Sequence, residues 1–391
     1  MDFCLPENVQ KALDILNAAG YEAYLVGGCV RDALRGAVPH DYDIATNALP
    51  EETLAAFSGY RTIATGIRHG TVTVLLNQMP IEITTYRVDG AYADHRRPDG
   101  VTFTPSLRED LARRDFTVNA MAYHPERGLV DPFFGREDLS SGIIRAVGEP
   151  MARFTEDALR ILRALRFSAR FGFSIEPATR EAIFALSDTL NLIAPERVRE
   201  ELVGTIVAKD AARVMREYAA VLSVICPQGA LTEAFDVLPA DTAVLRLADF
   251  LLAAGESGAQ TALSALRFDN KTAKAVCTVR SLCKEDITAD YECICRLLRK
   301  VGEAALRQGF ALRAAHGIDD GDAISVTEKI LAEKFPYTLA MLAISGEDLV
   351  VLGAPRGPRI GELLEMLYTA LVRKEIENKR EAMIGYIKRY I

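Results

Sequence analysis

The stretch Leu25–Thr46, LVGGCVRDALRGAVPHDYDIAT, decides how the chain is read. Tyr24 to Val26 form a short β-rich run, and Gly27 and Gly28 follow as a turn in which no side chain obstructs the backbone. A helix pattern comes next, with Arg31 in its first turn. A phosphate can approach the backbone N–H groups of such a turn, and Arg31 adds a planar cationic fork. The run is neither G-x-G-x-x-G nor G-x-x-x-x-G-K-[ST], which disfavours a dinucleotide fold and a P-loop. Asp41 and Asp43 stand two apart around a strand expected over Tyr42 to Ala45. Both carboxylates then leave one face, and Tyr42 and Ile44 leave the other. Adjacent carboxylates repel unless a divalent cation lies between them, and hard oxygen donors suit Mg²⁺, which also takes phosphate oxygens. Ala45 and Thr46 exclude an EF-hand loop. A lone D-x-D is often only a turn. Strand, Gly-Gly, helix and D-x-D in this order point to metal-dependent nucleotidyl transfer.

Further strands are expected at Thr71 to Leu76, Ile81 to Tyr86 and Ile143 to Val147, with a hairpin-like turn over Asn77 to Pro80. Glu82 faces away from Ile81 and Ile83, and reads either as a third carboxylate near the metal or as an exposed strand residue. After residue 150 nearly everything reads as helix. Asp157 to Phe171, Pro195 to Val207, Ala211 to Ile225, Thr242 to Ala254 and Gly361 to Glu377 carry apolar residues at three- and four-residue spacing. The expectation is an α+β chain, a small mixed-sheet head followed by a helical array. Soft breaks are placed near Pro227 to Pro239 and near Ala289.

Composition bounds the function classes. With 391 residues, 49% hydrophobic and 26% charged, the chain has the balance of an ordinary globular protein. Its net charge of −8 provides no global positive field, so a nucleic-acid partner must be held by local basic surface. One such surface is Arg356 to Ile391, with eight Lys/Arg against five Asp/Glu. Seven scattered cysteines suit reduced thiols. The spacing of Cys277, Cys283, Cys293 and Cys295 is not that of a zinc site. No charged-then-apolar leader and no run of 18 apolar residues occurs, so no membrane partner and a cytoplasmic location are expected.

TEDALRILRALRFSARFGF, from Thr155, reads as a helix with Thr155 as N-cap and Glu156 and Asp157 in its first turn. At about 100° per residue, Ala158, Ile161, Leu162 and Leu165 share the core face. Arg160, Arg163, Arg166 and Arg170 share the opposite side, with Asp157 at the border. Four arginines without a lysine suit planar recognition of phosphates or base edges; a salt-bridged structural face is the competing reading. An Asp acceptor beside an Arg donor matches the amino group and ring nitrogen of cytosine and of adenine. Uracil and guanine would leave both groups unpaired. The segment Val88 to Thr104, charged and poor in large apolar residues, reads as a lid or as a surface insertion.

Five blocks now stand in order: Gly27-Gly28 to Asp43, Tyr92-x-Asp94-x-Arg96-Arg97-Pro98, RRDFTVNAMAY from Arg113, DPFFGREDL from Asp131 and EDALRILRALRF from Glu156. Their order and spacing resemble the motifs of class II CCA-adding enzymes, the bacterial-type tRNA nucleotidyltransferases that share a head with poly(A) polymerases. The resemblance is specific to about residue 172 and looser beyond, where ISGEDLVVLGAPRGPRIGELLEMLYTALV from Ile344 is similar to the family's tail. It implies a head over 1–148, a neck over 149–208, a body over 209–288 and a tRNA-binding tail over 289–391. It also implies addition of C, C and A to tRNA from CTP and ATP. By resemblance Asp41 and Asp43 match metal ligands, Gly28 and Arg31 triphosphate contacts, and Arg114 a further nucleotide contact. Asp115 and Asn119 match positions that place the sugar or neighbouring strands. Asp157, Arg160, Arg163 and Arg166 match positions that read the base or hold phosphates. An intact lid is associated in this family with adding the final A. His316 stands alone, which argues against an accessory phosphohydrolase domain. The rivals are a poly(A) polymerase or A-adding enzyme with the same head, and a non-catalytic RNA-binding relative.

Overall fold

A computed structural model describes residues 5–89 and 101–391 and divides the chain into two compact units, Met1–Pro227 and Gln228–Ile391. Cys4, and Tyr92 to Pro98 of the expected lid, lie outside the described residues. The first unit is built on a seven-stranded mixed sheet. Its strands in chain order are β1 (Ala23–Val26), β2 (Asp43–Thr46), β3 (Arg61–Ile63), β4 (Thr71–Leu76) and β5 (Met79–Thr85). A separate pair, β6 (Arg87–Asp89) and β7 (Val101–Phe103), comes before β8 (Ala122–His124) and β9 (Gly128–Val130), which complete the sheet. The spatial order is β3-β4-β5-β2-β1-β8-β9, with β2 and β5 parallel and the other neighbours antiparallel. Ile44, Val72, Val74, Ile81 and Ile83 are all buried, so the alternation seen in the sequence is the sheet's inner face.

Strand ends moved where turn chemistry or pairing decided them. Asn77 (φ 48°) and Gln78 (φ 69°) close a two-residue hairpin between Leu76 and Met79, whose left-handed backbone matches strand twist. Pro80 therefore lies within β5, beyond the reach of its parallel neighbour β2, where its missing N–H costs no bond to that strand. Tyr86 lies outside β5. The expected strand over Ile143 to Val147 shrinks to β10 (Ile143–Ile144), paired with β11 (Ser174–Ile175), while Ala146 bridges to Phe116.

The helices of the first unit are α1 (Glu7–Ala18), α2 (Gly28–Leu34), α3 (Pro50–Ala56), α4 (Leu107–Ala112), α5 (Gly135–Ser141), α6 (Pro150–Glu156), α7 (Leu159–Phe171), α8 (Pro177–Ala185), α9 (Pro195–Ile206), α10 (Ala211–Glu217) and α11 (Ala219–Ile225). The N-cap expectation at Thr155 is overturned. Pro150, at the first helical position behind Glu149, opens an earlier helix, and Thr155 Oγ1 donates inside it to Met151 O. Asp157 is the break. It is extended (φ −139°, ψ 101°), and its Oδ1 accepts from Leu159 N at the start of α7. The expected core face is buried as read: Ala158, Ile161, Leu162 and Leu165. Gly172, left-handed at φ 72°, stops α7 by donating to Ser168 O.

The second unit, among its described helices, holds α12 (Ala243–Phe250), α13 (Gly255–Ala265), α14 (Asn270–Lys284), α15 (Tyr291–Val301), α16 (Glu303–Ala315), α17 (Gly321–Ala332), α18 (Gly346–Val351), α19 (Pro358–Val372) and α20 (Arg380–Ile387). The last long helix starts before Gly361 because Pro358 opens it, and it ends well before Glu377. Leu297, Leu306, Leu349, Leu363 and Leu367 belong to one core there. Cys293 and Cys295 are packed into it. His316 Nε2 lies 2.7 Å from the buried Asp249 Oδ1.

Candidate active site

An open cleft of about 510 Å³ gathers Gly27, Gly28, Arg31, Asp43, Arg114, Asp115, Asn119, Asp157, Arg160, Arg163 and Arg166, which lie far apart in the chain. Its floor follows from β1, the turn and β2. Gly27 adopts φ 74°, and a Cβ there would stand 2.7 Å from Arg114 Nη1, so the turn tolerates only glycine without strain. Asp41, Asp43 and Glu82 are exposed, whereas Tyr42 and Ile44 are buried. Asp41 lies just before β2 rather than within the strand. The β2–β5 register places Asp43 directly across from Glu82. Partial desolvation, with Glu82 and Asp41 close by, raises the Asp43 carboxyl above its ordinary range, although Arg114 opposes this. A crowded oxygen donor set of this kind suits a hard divalent cation. Among the described residues, no group of three His, Cys, Asp or Glu is close enough to hold a metal unaided. A metal at Asp43 would therefore need oxygens from outside that set.

The RRDFTVN block forms the joint of the cleft. Asp115 is buried and accepts from Arg163 Nε at 2.8 Å and Nη2 at 2.6 Å, from Asn119 Nδ2 at 2.9 Å and from Phe116 N at 2.8 Å. Burial alone would raise its carboxyl, but Arg163 and the Asn119 hydrogen bond hold it down at about 2. Asn119 Oδ1 in turn accepts from Arg31 Nη1 at 2.5 Å, and Arg31 grips Asp32 through Nε and Nη2. A continuous chain of hydrogen bonds thus joins the helix after the Gly-Gly turn to α7. Arg114 donates to the buried Asp110, shared with Arg113, and its own buried Nε has no hydrogen-bond partner among the described residues. Gly135, in DPFFG, supports this joint: a Cβ there would sit 2.1 Å from Thr117 O.

The arginine face of α7 is more heavily paired than the wheel suggested. Arg160 is 8% exposed and donates to Glu156 Oε2 at 2.9 Å, Arg153 O at 3.2 Å and Arg113 O at 3.0 Å. Arg166 Nε lies 2.5 Å from Glu201 Oε2. Asp157 keeps one oxygen on Leu159 N and gives the other to Arg197 Nη2 at 3.1 Å. Arg197 and Glu201, four apart on α9, are the residues sequence reasoning missed. Their shared helix face was legible in PERVREEL, but their partners lie 40 and 35 residues away.

Comparisons with known proteins agree in their placement. Residues 23–145 match the family described as "Poly A polymerase head domain", residues 172–221 the one described as "Probable RNA and SrmB-binding site of polymerase A", and residues 241–387 the one described as "tRNA nucleotidyltransferase domain 2 putative". A CCA-adding enzyme of Lactobacillus delbrueckii subsp. bulgaricus is 35% identical over 96% of this chain and 96% of its own. The crystal structure of the Bacillus stearothermophilus CCA-adding enzyme in complex with CTP superposes with a TM-score of 0.83 at 31% identity, covering 98% of this chain and 96% of that one. A Thermotoga maritima CCA-adding enzyme complexed with tRNA shares the fold, with a TM-score of 0.70 at 22% identity over 97% and 93% of the two chains. No helix among the described residues is long and apolar enough to cross a membrane.

Proposed function

The chain belongs to the family of CCA-adding enzymes, and on that premise we propose how its cleft works. It adds C, C and A to the 3′ end of tRNA from CTP and ATP without a template, by metal-dependent nucleotidyl transfer that releases pyrophosphate. The tRNA 3′-hydroxyl attacks the α-phosphate in line and pyrophosphate leaves, so no covalent enzyme intermediate is needed. Asp41 and Asp43 would hold Mg²⁺, with Glu82 as the neighbouring carboxylate across the register. Bound there, a divalent ion neutralises charge on the phosphate oxygens. The Gly27–Gly28 turn, Arg31 and Arg114 receive the triphosphate, and Asp115 and Asn119 keep Arg31 and Arg163 in place around it.

Asp157 offers the acceptor and an α7 arginine the donor for the edge shared by cytosine and adenine. In this structure Arg160 is occupied by two carbonyls and Glu156, and the charge on Asp157 is met by Arg197. Reading a base therefore requires Arg160 to exchange partners, a step that costs less when one hydrogen bond replaces another, whereas Asp157, oriented by Arg197, keeps lone pairs with which to accept from the base. Residues 1–148 form the catalytic head, 149–208 the neck, 209–288 the body and 289–391 the tail that holds tRNA. The working location is the cytoplasm.

The observation that carries this reading is the convergence of the Gly-Gly turn, Asp43, Arg114 and the α7 arginines on one cleft. The test is extension of a tRNA lacking CCA with CTP alone, ATP alone and both, followed by sequencing of product ends. Two C residues with CTP alone and a complete CCA with both nucleotides are expected. AMP addition without prior CMP would instead identify an A-adding or poly(A) enzyme.

A further inference from the structure

Arg31 and Arg166, which line the cleft, each have a counterpart four residues further along the same helical path: Arg35 at the end of α2, which does not line the cleft, and Arg170 in the last turn of α7, which does. Four residues advance a helix by about 6 Å. The two outer guanidiniums meet on one ring. Arg35 Cζ lies 4.3 Å and Arg170 Cζ 5.4 Å from the Phe171 centroid, and Arg31 Cζ lies 4.8 Å from the same centroid. Phe167 stacks on Phe171, with centroids 5.7 Å apart and planes 4° apart, and it carries Arg163 and Arg166 at 5.2 and 4.8 Å. The paired phenylalanines thus orient five guanidiniums along one wall.

Counter-charge along that wall is uneven. Arg31 has Asp32, Arg163 has Asp115 and Arg166 has Glu201. Among the described residues, Arg35 and Arg170 form no salt bridge to a carboxylate, and both are exposed. Partial desolvation lowers Arg35 below the usual guanidinium range, opposed by Asp32 and reinforced by Arg31 and Arg170. An aromatic face fixes the plane of a guanidinium and leaves its N–H edge free, an arrangement suited to two-pronged contact with phosphate oxygens.

We propose that Arg35 and Arg170, held on Phe171, form a phosphate subsite that takes a backbone phosphate of the RNA whose 3′ end enters the cleft. The proposal rests on the nucleotidyl-transfer reading above. A phosphate of the incoming nucleotide has the same chemistry, but Arg31 and the Gly-Gly turn already face it; Arg170 lines the cleft and Arg35 does not, so the pair reaches from the cleft edge outward, where the RNA strand rather than the triphosphate would pass.

The test uses the full chain with Arg35→Gln and Arg170→Gln together, and Arg170→Gln alone as the less intrusive variant. tRNA affinity is measured from 50 to 200 mM salt, and KM for CTP is measured at saturating tRNA. The double variant is expected to bind tRNA about tenfold more weakly at low salt. Its plot of log affinity against log salt should be shallower by roughly 0.7–0.9, the loss of one phosphate contact, with KM for CTP unchanged. An unchanged slope in both variants overturns the proposal, whether or not the melting temperature falls. A raised KM for CTP with an unchanged tRNA slope overturns it by assigning the phosphate to the nucleotide. Failure of the wild-type chain to incorporate CMP would sink the underlying reading separately, because the salt slope is a binding measurement.

Discussion

Arg197 Nη2 lies 3.1 Å from Asp157 Oδ2, joining α9 to the extended residue that separates α6 from α7. The contact sets the direction of the one acidic side chain at the border of the arginine face. It also occupies the oxygen that is not committed to Leu159 N.

Arg197→Ala should leave Asp157 free to rotate and without its cation. Both side chains are partly exposed, at 32% and 17%, so the effect on stability is expected to be small. The effect on nucleotide use should be larger. KM for both CTP and ATP is expected to rise by about tenfold with kcat little changed, and Arg197→Lys should recover part of the loss. Steady-state kinetics with each nucleotide check this.

Asp115 gives a pH-dependent prediction. Its carboxyl sits at about 2 in the fold against 3.8 for the free group, so its stabilisation is complete above about pH 5 and is lost as pH falls through 2. By linkage the contribution is about 2 kcal/mol near neutral pH. Asp115→Asn should be less stable than wild type at pH 7, and the difference should shrink below pH 4. Urea unfolding of both proteins across pH 7 to 3 reads it; a gap independent of pH would refute the pairing as its source.

Gly135→Ala should destabilise the head although the change is a single methyl group. The new Cβ would stand 2.1 Å from Thr117 O and 2.8 Å from Thr117 C, both backbone atoms that cannot swing aside. A loss of roughly 1–3 kcal/mol is expected. Gly128→Ala meets no atom within 4 Å but keeps φ 77°, so only the left-handed backbone cost of about 1 kcal/mol applies. Thermal melts of the two variants should rank in that order.

Asp43→Asn should remove incorporation by about a thousandfold or more while retaining CTP binding, because it removes a carboxylate ligand but leaves the arginine wall intact. Chelation of divalent ions should abolish incorporation by the wild type, and added Mg²⁺ should restore it. Filter binding of CTP alongside product formation separates the two effects.

The parts of the site legible in the sequence are those whose geometry is local. The Gly-Gly turn, the D-x-D alternation and the buried face of α7 each follow from backbone period alone, and Asp43, Ile44 and Leu162 sit as that period dictates. Where two local signals competed, the sequence was ambiguous. Thr155 and Asp157 are both good caps, and only the helix opened by Pro150 decides between them. Long-range pairing was legible only in outline: Glu82 was one of two open readings as a carboxylate near Asp43, but the register that puts it there was not. Nothing near Asp43 announces that β2 runs parallel to β5 and faces Glu82, and nothing near Arg163 announces Asp115, 48 residues earlier. The arginine stripe read as either a ligand face or a salt-bridged face. It is in part the second, with Arg163 and Arg166 tied to Asp115 and Glu201, while Arg170 remains exposed.

The most direct measurement of the central claim is single-turnover incorporation of CMP against UMP onto tRNA lacking CCA, by wild type and by Asp157→Ala. If Asp157 reads the base edge, the CMP-to-UMP ratio should fall by about a hundredfold or more in the variant, with the Mg²⁺ dependence unchanged. An unchanged ratio would contradict the assignment of base choice to this cleft.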